Sequence, residues 1–202
     1  LNGKRLPIAS IRGFFQGCGA ELKILIADAC FSGSLIQGKG AALAPPAPIH
    51  YADELKVNGS AILTSSSAGE LSQESKDLRG SLFTHHFLSA LRGAADADRD
   101  GSVTLFEAYA YTQAGLRRQL AARQDVSQTP GFDMDIHGSE NVVLTRIALG
   151  SAVLVMKGLP PGSYRLLETG SAQQIAQVEI SDPAGVELAL PRSVFLVYKV
   201  SG

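Results

Sequence analysis

The stretch that most constrains the fold is residues 23–34, with the sequence KILIADACFSGS. Leu22 and the apolar run 24–26 are too short for a helix and predict a strand buried on both faces, as in parallel sheets. Cys30 follows just past the carboxyl end of this strand, where open α/β sheets bind ligands, and Gly33 permits a sharp turn there. Spacing alone leaves two interpretations of Cys30 open: a displayed nucleophile, or a small core hydrophobe, as most free cysteines are.

Length and composition place the chain among ordinary globular proteins. Its 202 residues are 45% hydrophobic and 18% charged, enough for one core and a small second unit. The formal net charge is −1 and no basic stripe is present, so we expect no nucleic-acid partner. No apolar run approaches the roughly 20 residues that span a bilayer, so we expect no transmembrane segment. The two cysteines lack the spacing of a zinc site, and nothing in the sequence indicates a compartment.

A second short apolar run, residues 59–66 with the sequence GSAILTSS, predicts another strand. If it runs parallel to the first, the polar residues after it lie at the same edge of the sheet as Cys30. These polar residues are Ser65, Ser66, Glu70 and Glu74. Two loops are therefore expected to converge on one crevice.

Helical periodicity occurs in three places. Residues 6–16 predict a helix before the cysteine strand, residues 80–92 an amphipathic helix with a glycine stop, and residues 105–120 a third helix. The proline-rich and glycine-rich residues 35–58 predict a long loop. His85 and His86 lie inside the second helix, where a packing role is the commoner one and a catalytic role stays open.

Residues 96–107, DADRDGSVTLFE, fit the calcium loop of an EF-hand, with acids at positions 1, 3, 5 and 12 and glycine at position 6. The candidate ligands are Asp96, Asp98, Asp100, Ser102 and Glu107. The alternative is that these residues only shape the backbone and bind no ion. Thr104 and Glu107 also fit a capping box, and Asp100-Gly101 is a turn signal. We expect any calcium ion here to be structural rather than catalytic.

The composition changes at about residue 148. From there to residue 202, apolar and polar residues alternate in short runs separated by Pro-Gly and Gly-Ser turns. This pattern predicts a small β-sandwich-like module with a weak internal repeat and no catalytic constellation. The sequence leaves its binding partner unknown.

The run IADACFSG at residues 26–33 resembles the nucleophile segment of bacterial caspase-like cysteine peptidases, relatives of the metacaspases. Similarity to this family also covers residues 61–74, 80–84 with 91–96, the DxDG segment and the stretch from residues 128–130 to 144–145, and extends over about residues 1–145. The resemblance implies an α/β fold: a three-layer α/β/α caspase-like domain at residues 1–147, truncated at its N-terminus, with a small all-β module at residues 148–202. It also implies a protein or peptide substrate and no cofactor for the chemistry.

The resemblance assigns Cys30 as the nucleophile that attacks the scissile carbonyl. Asp28 takes the place of the acid that lines the pocket for the residue before the cut, which implies selection of Arg or Lys. The opposite wall is then assigned to Ser65, Ser66 and either Glu70 or Glu74. The alternative for Asp28 is a strand-end cap.

The histidines depart from the family pattern. Family members carry the catalytic histidine before the first helix, whereas His50, His85, His86 and His137 all follow Cys30. We therefore expect the histidine to lie upstream of Leu1 and residues 1–202 to be a poor peptidase by themselves. The alternative function is a catalytically inactive caspase-like scaffold or binding protein with a structural calcium loop.

Overall fold

The computed structural model describes residues 7–29, 35, 58–67, 70–75, 78, 80–121, 127–137, 142–149 and 152–200. The chain is mixed α/β, as predicted, and divides into two compact units. Unit 1 comprises Leu1–Ser72 and Ser127–Glu140, and unit 2 comprises Gln73–Val126 and Asn141–Gly202. Unit 2 extends across residue 147, and the domain boundary expected there stays a prediction.

The helices, in chain order, are α1 (Ile8–Gly17), α2 (Leu82–Ser89) and α3 (Leu105–Leu120), with a π-helical turn at Ala90–Ala94 and a 3-10 turn at Ile147–Leu149. The strands of the first half are β1 (Leu22–Ala27), β2 (Asn58–Thr64), β3 (Glu74–Ser75), β4 (Gly80–Ser81), β5 (Ser102–Thr104) and β6 (Gly131–His137). The remaining strands are β7 (Val143–Arg146), β8 (Ala152–Met156), β9 (Gly162–Glu168), β10 (Gln173–Ile180), β11 (Val186–Leu190) and β12 (Phe195–Lys199).

Unit 1 is built on a sheet in the order β1-β2-β6. Strands β1 and β2 are parallel, with Ala27 opposite Thr64, so the predicted convergence of their carboxyl ends is confirmed. Strand β6 is antiparallel to β2 and begins at Gly131, which also pairs with Thr64. The segment that leads into β6 therefore reaches the same edge of the sheet.

The expectation that β1 is buried on both faces is wrong. Its residues are half-buried or exposed, and Ile26 is 43% exposed. Among the described residues, β2 is the strand that pairs with β1, so β1 lies at an edge of the sheet rather than inside it. Helix α1 contributes no buried residue in the described part of the chain, and Phe14 is 82% exposed.

The two helices of unit 2 begin at side-chain caps. The Ser81 hydroxyl accepts a hydrogen bond from the backbone N–H of Thr84 at the start of α2. Thr104 and Glu107 form the predicted capping box at the start of α3, which occupies the residues predicted for it. Helix α2 continues into the π-helical turn, where Gly93 has φ +117° and a Cβ would lie 2.3 Å from the carbonyl oxygen of Glu187.

The C-terminal strands form two small antiparallel sheets, β10-β9-β12 and β11-β8. In β8 to β11 alternate residues face a common core, as the sequence pattern predicts, but in β12 only Phe195 is partly buried and the other four residues are exposed. The buried members of this core are Met156, Tyr164, Leu166, Ala176, Val178, Ile180, Leu188 and Leu190.

Helices α2 and α3 cover the outer edge of β10 with side-chain hydrogen bonds. The Ser89 hydroxyl accepts from the N–H of Gln177 at 3.1 Å, and the Tyr111 hydroxyl donates to its carbonyl at 2.6 Å. Arg92 donates to the carbonyl of Ile175 at 2.6 Å. These side chains satisfy backbone groups that an edge strand otherwise leaves to solvent or to another chain.

Candidate functional site

Asp28 lies directly after β1, at the edge of the sheet where the parallel strands end. The hydroxyl of Ser72 donates a hydrogen bond of 2.8 Å to Asp28 Oδ1. The carboxylate is therefore held by a second segment of unit 1. Cys30 lies outside the described residues, and its assignment as nucleophile stays a prediction.

Ser65 and Ser66, just after β2, are buried and contact the chain that leads to Cys30. The backbone N–H of Ser65 donates to the carbonyl of Ala27 at 2.9 Å. Both serine hydroxyls donate to the carbonyl of Ala29, at 3.3 and 3.5 Å. These contacts fix the backbone immediately before Cys30, while the predicted contact of both serines with substrate stays a prediction.

Gln128 lies at the same edge of the sheet and was given no site role from the sequence, although it begins one of the stretches that resemble the family. Its side chain is buried, and Nε2 donates to the carbonyl of Ser65 at 2.8 Å and to the hydroxyl of Ser72 at 3.4 Å. Gln128 thus joins the ends of β1 and β2 to the segment that enters β6. A local signal for Gln128 is its position just before the Thr-Pro-Gly residues that lead into β6.

Glu70 holds two loops of unit 1 together. Its carboxylate accepts hydrogen bonds from the N–H of Thr129 at 2.6 Å, from the Thr129 hydroxyl at 3.2 Å and from the N–H of Ser67 at 3.4 Å. Burial alone would raise the pKa of Glu70, but these bonds and one from Ser127 keep it below its usual value. Glu70 is therefore an ionised anchor for the rim of the site.

Glu74 is exposed in β3 and pairs through its backbone with Ser81 of β4. It belongs to unit 2, unlike Asp28, Ser65, Ser66 and Glu70. Its predicted place in a substrate pocket stays a prediction.

Each histidine in the described part of the chain has a defined place in the fold. His137 pairs with Asn58, the first residue of β2, and therefore lies at the edge of the sheet opposite Asp28. His85 and His86 are buried in unit 2 and hydrogen-bonded to Gln174 and Gln119. His50 lies outside the described residues.

The acidic loop between the π-helical turn and α3 brings together Asp96, Asp98 and Glu107. One carboxylate oxygen of each lies within 4.8 Å of the other two, a separation that one metal ion can bridge. Gly101 has φ +79°, the left-handed conformation that the sixth position of an EF-hand loop requires. These three acids can hold a metal ion.

Two of the five predicted ligands lie outside this acidic group. Asp100 Oδ1 accepts a hydrogen bond from the N–H of Ser102 at 2.7 Å, and Ser102 is buried at the start of β5. Burial and the nearby charges of Asp100 and Glu107 raise the pKa of Asp96, although backbone N–H groups donate to it. A bound cation would relieve this crowding of negative charge.

No helix in the described part of the chain combines the length and the hydrophobicity needed to cross a membrane. Comparison of the chain with protein-family models, with curated proteins and with solved structures found no match.

Proposed function

We propose that this chain contributes the nucleophile and the basic-residue pocket of a caspase-like cysteine endopeptidase that cleaves after Arg or Lys. The observation that supports this proposal is the position of Asp28. Its carboxylate is anchored by Ser72 at the carboxyl edge of two parallel strands, two residues before Cys30. An anchored carboxylate beside a nucleophile is suited to bind a guanidinium or ammonium group next to the scissile bond.

The proposed chemistry is ordinary for a cysteine peptidase. A histidine removes the thiol proton of Cys30, and the thiolate attacks the scissile carbonyl carbon. The histidine then returns the proton to the leaving amine, and water hydrolyses the thioester. The N–H of Cys30 is proposed to stabilise the oxyanion, and the serine hydroxyls bind the carbonyl of Ala29, the residue before Cys30.

The base is proposed to lie upstream of Leu1, as the family resemblance implies. His85 and His86 are packed inside unit 2, and His137 lies at the opposite edge of the sheet. The same resemblance supports a three-layer caspase-like arrangement of the first 147 residues, around the parallel pair β1 and β2.

The test uses the full-length protein and fluorogenic peptides that end in Arg, Lys, Ala or Asp before the reporter. We expect hydrolysis of the Arg and Lys peptides, loss of hydrolysis in Cys30→Ala, and a shift away from basic peptides in Asp28→Ala. His137→Gln is the matched histidine control and should cleave normally. Hydrolysis that survives Cys30→Ala, or no hydrolysis by the full-length protein, contradicts the proposal.

A second candidate is a catalytically inactive caspase-like scaffold stabilised by calcium. The observation that favours it is the group formed by Asp96, Asp98 and Glu107, which fits a structural ion and makes no use of Cys30. A protein that binds calcium and keeps an unreactive Cys30 would support the scaffold over the enzyme. Alkylation of Cys30 by iodoacetamide, followed by mass spectrometry, distinguishes the two.

A further inference from the structure

We propose that Gln128 and Ser72 are positioning residues that fix Asp28 as a hydrogen-bond acceptor and so determine the affinity of the site for a basic side chain. The inference rests on the proposed function for its consequence in catalysis. The contacts themselves lie within unit 1 and join three segments of the chain: the end of β1, the loop after β2 and the entry to β6.

The backbone carbonyl of Ser65 determines which atom donates in each hydrogen bond of this chain. The carbonyl of Ser65 can only accept, so the Gln128 atom 2.8 Å from it must be the amide nitrogen. The same nitrogen lies 3.4 Å from the Ser72 hydroxyl and can only donate to it. The amide of Gln128 is therefore held in one of its two orientations.

Ser72 accepts a hydrogen bond from Gln128 and donates one to Asp28. A hydroxyl has one proton, and the Gln128 amide takes up an acceptor position on Ser72 Oγ. The proton of Ser72 is then directed at Asp28 Oδ1, 2.8 Å away. A donor aimed at a carboxylate favours its ionised form, which is the form that binds a guanidinium or ammonium group.

Burial holds the first end of this chain of hydrogen bonds, while the bond from Ser72 to Asp28 at the other end is exposed. Gln128 is 6% exposed and Ser65 is 0% exposed, so both partners at the start of the chain of hydrogen bonds are held by packing. An anchored carboxylate loses little freedom when it binds a cationic side chain, which improves affinity without changing the chemical step. The expected signature of losing Ser72 is therefore a change in KM and not in kcat.

The first experiment measures kinetics on an Arg peptide with the full-length protein. We expect Ser72→Ala to raise KM about tenfold, the effect of one hydrogen bond to a charged group, with kcat within about twofold of native. Ser72→Thr keeps the hydroxyl and should restore KM. Gln128→Glu cannot donate to Ser72 and should also raise KM, while Ser171→Ala removes an exposed serine of unit 2 and should change nothing.

The acidic limb of the plot of kcat/KM against pH provides a second test. A purely structural role of Ser72 would not shift this limb. We expect it to shift to higher pH in Ser72→Ala, because the carboxylate loses a donor that favours its charged form. The second experiment follows the Asp28 carboxyl carbon by NMR without substrate. Its titration midpoint should be higher in Ser72→Ala than in the native protein, and thermal melting confirms that each variant is folded.

The outcomes separate this inference from the proposed function. Cys30-dependent hydrolysis with an unchanged KM and an unchanged NMR midpoint in Ser72→Ala overturns the positioning role and leaves the peptidase intact. Absence of hydrolysis in the full-length protein overturns the peptidase, and the NMR midpoint still decides whether Ser72 controls the protonation of Asp28.

Discussion

The ring of His86 occupies the space beside Gly115 that a side chain would need. A Cβ at Gly115 would lie 2.5 Å from His86 Nδ1 and 2.8 Å from two ring carbons. On the other side of the ring, Nε2 lies 2.8 Å from Gln119 Oε1, and burial lowers the pKa of His86, which favours the neutral imidazole. Nδ1 is buried and has no hydrogen-bond partner among the described residues. Helix α3 thus forms a niche for one neutral histidine of α2.

Gly115→Ala should destabilise unit 2 by about 1 to 3 kcal/mol, because the added methyl group overpacks the niche. Gly13→Ala is the matched control in α1, where a Cβ would meet nothing within 4 Å. That substitution should stabilise its helix by a few tenths to about 1 kcal/mol. Urea unfolding followed by circular dichroism at 222 nm measures both, since the chain has no tryptophan. Equal effects of the two substitutions would rule out the niche.

Acid should destabilise unit 2 through its two buried histidines. Burial, His86 and the charges of Arg92 and Arg165 lower the pKa of His85 to about 3. Burial and Arg118 also lower the pKa of His86, against opposing effects of Gln119 and Glu179. Each folded-state pKa lies below the unfolded value, so the stability contribution is complete above about pH 6.5 and decreases as the pH falls below it.

We expect the titration of His85 to lower the free energy of unfolding by about 1 kcal/mol between pH 7.5 and 5.5. Urea unfolding at each pH measures this decrease. His85→Gln should show a correspondingly weaker dependence on pH. His137→Gln is the control, because His137 is exposed and lies in unit 1. A native-like dependence in His85→Gln would show that the pH effect arises elsewhere.

Calcium should raise the melting temperature of the native protein in a concentration-dependent way. At 100 times the dissociation constant, binding to the folded state alone contributes about 2.7 kcal/mol. Asp98→Asn and Glu107→Gln should abolish the shift, and Glu107→Gln is informative because glutamine can still serve in the capping box. Asp133→Asn alters an exposed acid of β6 and should retain the shift. A melting temperature that is insensitive to calcium argues against the site.

Tyr111→Phe should destabilise unit 2 by about 1 to 3 kcal/mol, because it leaves the carbonyl of Gln177 without its donor at the covered edge of β10. Burial and the charge of Glu179 raise the pKa of Tyr111 above its usual value, which is consistent with a hydroxyl held away from water. Tyr198→Phe alters a 38% exposed tyrosine of β12 and should cost little. Urea midpoints of the two variants make the comparison.

The parts of the fold that were predictable are those with a strong local signal. The apolar runs of β1 and β2 and the capping box of α3 stand out in the sequence, and all three elements are present. The rule that parallel strands present their carboxyl ends at one edge then places Ser65 and Ser66 near Ala29, as the hydrogen bonds confirm.

Strand β6 was missed although its pattern is readable. Phe132, Met134 and Ile136 alternate with Asp133 and Asp135, which is the signature of a strand with one apolar face. Its first residue, Gly131, follows Pro130, and this Pro-Gly pair is a turn signal rather than a strand signal. The partial exposure of β1 had no such signal, because burial depends on which elements lie beside a strand and not on its own residues.

The contacts of Gln128 and His86 are products of the tertiary structure. Gln128 reaches Ser65 and Ser72 across 63 and 56 residues of chain, and His86 depends on a glycine of another helix. No local pattern reports such pairings, since propensity and periodicity describe only neighbours along the chain. The histidine pair was open to a catalytic interpretation for the same reason.

The covering of β10 determines how the C-terminal strands behave away from the rest of the chain. Residues 152–200 look separable because their strands share a core of their own. Removed from α2 and α3, however, β10 would present the N–H and carbonyl of Gln177 and the carbonyl of Ile175 as an open template for a strand of another molecule. A fragment cut at residue 148 should therefore aggregate through this edge, and a soluble version needs to retain the helices as a protective cap.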